Sequence, residues 1–197
     1  MTRSVEEALA YAKAESERRS QDWTAYCQRF VRSCYGIEPL FASAWAQWLG
    51  ADPEDRNPGI DPGEAPVGAA LCYRGGTYGH IMLAARDRDG VPMAWSNDLV
   101  RRGQIDYVPR SAPVTTWGQT YVGWLSAVND VDLPLGLAPD APPKRPKPRR
   151  YESIRRAILR LEAARNTAAA RGDAADVRLI KHELRRLRLL YREAVKE

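Results

Sequence analysis

The chain has 197 residues, 44% of them hydrophobic, with six Trp and nine Tyr, enough for one ordinary domain plus an appendage. No run approaches the ~18 apolar positions of a membrane-spanning helix, and three cysteines do not make the paired framework of a small secreted scaffold. The net charge of +5 conceals a division: residues 144–197 hold 17 Lys and Arg against 7 Asp and Glu, leaving 13 basic and 18 acidic residues in 1–143.

The N-terminal segment "MTRSVEEALAYAKAESERRS" is charged throughout and lacks the apolar stretch of a signal peptide, so synthesis in the cytoplasm is expected. It predicts a helix, with Ser4 and acidic residues at its start and Arg at its end. A second helix is expected from near Asp22 to Gly36, a residue suited to a left-handed cap, and a short third over 41–50. Residues 51–66 form a Pro/Gly/Asp-rich loop. Strand-like runs follow at 68–74, 79–86, 91–98, 103–109 and 115–125, with "RDRDG" as a hairpin turn between the second and third. Helices first and strands later predict an α+β fold, its N-terminal helices packed on a small antiparallel sheet.

"APPKRPKPRR" (141–150) interleaves Pro with Lys and Arg, which blocks regular structure and extends the chain as a linker after a domain of residues 1–140. Beyond it, Tyr151, Ile154, Ile158 and Leu161, then Val177, Ile180, Leu184, Leu187, Tyr191 and Ala194, recur at helical spacing. Gly172 separates the two runs and Asp173 can cap the second, so residues 151–197 predict a basic antiparallel, coiled-coil-like hairpin. Its narrow apolar stripe suits mutual packing plus one further partner.

The stretch "DWTAYCQRFVRSCYG" carries Cys27 and Cys34 on nearly one helical face. Seven residues at a rise of about 1.5 Å separate them by about 10 Å, too far for a disulfide within one helix. Cys27 lies near the positive end of the helix dipole, which favours a thiolate, whereas Cys34 lies near the negative end. Cys34 and Cys72 are expected to be small buried hydrophobes.

A nucleophilic cysteine needs a base, and the base needs an orienting group. His80, the only histidine before the linker, opens an apolar strand in "YGHIMLAAR". A hairpin turning about Arg88 and Asp89 places Asn97 opposite and on the same face as His80, with Ser96 and Asp98 pointing away. Asn97 is therefore the expected third group and Asp98 the reserve. A metal site of Cys27, Cys34, Cys72 and His80 has suitable ligand types but lacks the close ligand pairs of zinc motifs, so no metal or other cofactor is expected.

The ordered set "DWTAYCQRFVRSCYGI…SAWAQW…PVGAALCY…YGHIMLA…AWSNDLVRRGQIDYV…W…YVGWL" resembles the papain-like peptidoglycan hydrolases of the CHAP and NlpC type, particularly versions from actinobacteria and their phages. The resemblance covers roughly residues 20–126. It implies Cys27 as nucleophile, His80 as general base and Asn97 as orienting residue, acting on an amide bond of the wall stem peptide. Tyr-Cys-Gln replaces the usual Asp-Cys-Ser-Gly or Gly-Gln-Cys context and leaves amidase and endopeptidase both open. Trp23, Tyr26, Tyr78 and Trp95 flank the three and are expected to wall a substrate groove or else to sit in the core. With no signal peptide, the resemblance implies an endolysin released through a holin or a lysin carried on a virion.

The basic hairpin raises other partners: an anionic wall polymer, self-association, or nucleic acid, the last ranked lowest because no nucleic-acid motif is present. The competing expectation is a virion or scaffold protein that keeps the fold without the chemistry and docks through residues 151–197.

Overall fold

A computed structural model describes residues 2–135 and 150–195, so residues 141–149 of the expected linker lie outside the described residues. Helix α1 (Val5–Arg18) begins at a capping box in which Ser4 accepts from the Glu7 N–H and the Glu7 carboxylate accepts from the Ser4 N–H. Helix α2 (Cys27–Cys34) starts later than Asp22, because Asp22 Oδ1 accepts from both the N–H and the hydroxyl of Thr24 in a local turn. Gly36, just past the end of α2, is left-handed at φ 67° as expected. Ser43 caps α3 (Ala44–Gly50) by accepting from the Ala46 N–H.

Six strands form one antiparallel sheet in the order β1-β6-β2-β3-β4-β5: β1 (Arg56–Pro58), β2 (Ala70–Arg74), β3 (His80–Arg86), β4 (Pro92–Asn97), β5 (Ile105–Pro109) and β6 (Thr120–Leu125). The expected strand over 115–125 is shorter, since Ala112–Trp117 forms helix α4 with a proline in its first turn and left-handed Gly118 as its cap. A small hairpin of β7 (Ala127–Val128) and β8 (Val131–Asp132) follows.

One sheet face presents Cys72, Ile81, Leu83, Ile105 and Leu125 to the first two helices, where Ala8, Ala12, Phe30, Val31 and Cys34 complete the main core. Cys34 and Cys72 are both buried in it. The other face carries Leu71, Tyr73, Met82, Ala84, Ala94 and Val108 beneath the 60s loop. Arg110 stitches that loop to the sheet. Its buried guanidinium donates to the carbonyls of Pro62, Ala65, Ala85 and Met93.

Helices α5 (Arg150–Ala170) and α6 (Ala174–Ala194) form the antiparallel hairpin, turning at left-handed Gly172, with Asp173 capping the second. Their seam buries Ile154, Leu161, Ile180, Leu184 and Leu187 together with Leu40, Phe41 and Ala46. The further partner of the apolar stripe is thus the chain's own first part. Arg160 of α5 donates to the Gly50 carbonyl and pairs with Asp130.

Candidate active site

Cys27 is the first residue of α2. The turn before it is pinned to the end of β4: Ala25, left-handed at φ 61°, donates its N–H to Asp98 Oδ2 at 2.8 Å. The Trp23 carbonyl accepts from Asn97 Nδ2 at 2.8 Å, and the Trp23 N–H donates to the Gly103 carbonyl at 2.9 Å. Asn97 also donates to Asp98 Oδ2, while its own Oδ1 is buried with no hydrogen-bond partner among the described residues. Burial pushes the Cys27 thiol up to about 11. The backbone N–H groups of Ile81 and Gln28 pull the other way by facing the sulfur, and the Asp98 carboxylate adds to the rise.

His80 opens β3 directly after Gly79. Only glycine fits there, for φ is 62° and a Cβ would lie 2.8 Å from the Tyr73 carbonyl oxygen. The His80 ring is 4% exposed, with Nε2 and Ser96 Oγ 2.7 Å apart and the Trp117 ring edge-on at 5.0 Å. Burial drives its pKa down to about 3, so the imidazole is neutral at ordinary pH.

The third group differs from expectation. Leu83 pairs with Trp95 and Ala84 with Ala94, so even-numbered 80 and 96 share a face and Asn97 projects to the α2 side. The cause is the turn. Asp87 accepts from Val91 and Gly90 sits left-handed at φ 82°, which lengthens the loop by one residue and flips every side chain of β4 relative to a turn centred between Arg88 and Asp89. Ser96 therefore holds the histidine, and Asn97 and Asp98 hold the turn that delivers the cysteine.

Cys27, His80, Asn97 and Asp98 all line one cleft of about 840 Å³. Among the described residues, no hydrogen bond joins Cys27 to His80. Of the four expected aromatics, Tyr26 and Tyr78 line the cleft at 50% and 65% exposure. Trp23 is instead a core residue edge-on to Phe30, and Trp95 packs against Tyr107 away from the cleft. Trp117, missed in the sequence, lines the cleft and covers His80. The signals for it were Pro113 and Gly118, a start and a stop for the short helix that aims it. Arg29, Arg32, Arg102 and Arg186 line the cleft along with the Asp98 carboxylate and make it basic. Compared with protein-family models, with curated proteins and with solved structures, the chain matches none.

Proposed function

We propose that the chain is a papain-like cysteine hydrolase of the CHAP or NlpC type that cleaves an amide bond of the peptidoglycan stem peptide, as a phage endolysin or virion-associated lysin. One observation carries the reading: a cysteine at a helix N-terminus and a histidine at a strand start, its Nε2 already engaged by Ser96, open into one aromatic-rimmed cleft. In this mechanism Cys27 Sγ attacks the substrate carbonyl as His80 takes the thiol proton. The tetrahedral oxyanion forms beside the backbone N–H groups at the start of α2. His80 then passes its proton to the leaving amine, leaving a thioester. Water attacks that thioester with His80 again as base, freeing the acid and restoring the thiol. Ser96 orients the ring and Asn97 the turn carrying the sulfur.

A second reading, a virion or scaffold protein that retains the architecture without the chemistry, is favoured by a different observation. With the thiol raised to about 11 and the imidazole lowered to about 3, both groups are neutral, and proton transfer between them is uphill. Digestion of purified peptidoglycan, analysed by mass spectrometry of the released fragments, separates the two. The hydrolase reading expects one class of new amine terminus with the full chain and with Cys34→Ala, and none with Cys27→Ala. An inert wild-type chain, or a dead Cys34→Ala variant with an active Cys27→Ala variant, refutes it.

A further inference from the structure

Two of the segments that line the cleft, 39–44 and 75–79, are tied to α6 of the C-terminal hairpin, the first directly through Ala42 and the second through Trp45. At one end, Asp176 is buried and accepts from Trp45 Nε1 at 2.8 Å. Arg74 lies over the Trp45 ring, 5.1 Å from its centroid, and pairs with Asp173 at 2.6 Å and Asp176 at 3.5 Å. The Trp45 backbone N–H in turn donates to the Tyr78 carbonyl at 2.8 Å, and the Trp45 Cβ and N stand against Gly79, next to His80. At the other end, buried Glu183 accepts from the Ala42 N–H at 3.1 Å and pairs with Arg186, which lines the cleft and donates to the Leu40 carbonyl. Apolar contact alone would hold the hairpin to Leu40 and Phe41 without fixing its register. Two buried carboxylates are a costly way to gain adhesion, because burying a charge loses hydration that its partners must replace. Their geometry makes sense as a device that sets where the rim sits.

We propose that the hairpin is a positioning element of the cleft, with Asp176 acting through Trp45 on the Tyr78–Gly79 junction that presents His80. The proposal rests on reading Cys27 and His80 as a working pair, and its first readout is chosen to stand apart from wall cleavage. That readout is the titration of the His80 ring by NMR in the full-length protein, with His182→Gln used to assign the second histidine. Releasing the junction hydrates the ring, so Asp176→Ala and Trp45→Phe each raise the His80 midpoint by about one pH unit or more, and the double variant no further. Asp176→Asn keeps an acceptor for Trp45 Nε1 and restores the wild-type midpoint. On peptidoglycan, Asp176→Ala lowers kcat about tenfold with a smaller change in KM. A fall in melting temperature in Asp176→Ala and Trp45→Phe with the His80 midpoint and kcat unchanged overturns the proposal, as does Asp176→Asn behaving like Asp176→Ala. If wild-type protein cleaves no wall, the hydrolase reading fails while the titration still decides the positioning.

Discussion

Acid should unfold this protein through His80 before it does so through its carboxylates. An unfolded histidine titrates near 6.5, whereas burial holds His80 at about 3 in the folded chain. Between those values the unfolded chain binds a proton that the folded chain refuses, so the contribution is complete above about pH 6.5 and is lost as pH falls toward 3. At about pH 5 the loss is about 2 kcal/mol, the free energy of protonating the unfolded imidazole roughly 1.5 pH units below its pKa. For a chain of this size that lowers the melting temperature by about 4–8 °C. The assay is urea unfolding at about pH 7 and pH 5 for wild type and His80→Gln. Wild type loses about 2 kcal/mol over the interval and His80→Gln much less. Equal losses in wild type and His80→Gln refute the account of a dry, neutral imidazole.

Ser96→Ala removes the hydrogen-bond partner of a buried ring and costs about 1–3 kcal/mol, with a clear change in the His80 ring nitrogen shifts. Asn97→Ala unties the Trp23 turn at similar cost but leaves those shifts in place; the opposite pattern refutes the register given above. Gly79→Ala forces a side chain into a left-handed position and against the Tyr73 carbonyl, and is expected to lose about 2 kcal/mol or more in urea unfolding. A neutral result would mean that the turn before His80 is built differently. Arg110→Met leaves four carbonyls without their buried donor and costs at least about 3 kcal/mol by the same assay.

Much of the fold was legible because its signals are local. Ser4 with its acidic neighbours, Gly36, Gly172 and Asp173 each act within a few residues, and helices begin or end where those residues stand, whereas Ser43 starts α3 three residues later than the expected 41. Apolar runs bounded by turn residues marked most of the sheet, and the contrast between a helix-start Cys27 and a mid-core Cys34 follows from position along one helix. The errors came where a single residue has a long-range consequence. Gly90 adds one residue to a turn, and that alone exchanges Ser96 for Asn97 beside His80. Asp22 bonds to Thr24 rather than capping α2, which buries Trp23 and frees Tyr26 to face the cleft.

By itself, then, the sequence determined most of the helices and the main strands, their order, the α+β class, and the placement of Cys27 at a helix start and His80 at a strand start. Tertiary structure decided which polar group holds the histidine, how dry Cys27 and His80 are, and that the basic hairpin packs along the cleft rim. The physical reason is that capping and periodicity are set by neighbours within a turn or two. Register, burial and docking instead depend on where distant surfaces meet: the hairpin's apolar stripe could not disclose that Leu40 and Phe41 complete it, nor its carboxylates that they hold Trp45 and Ala42.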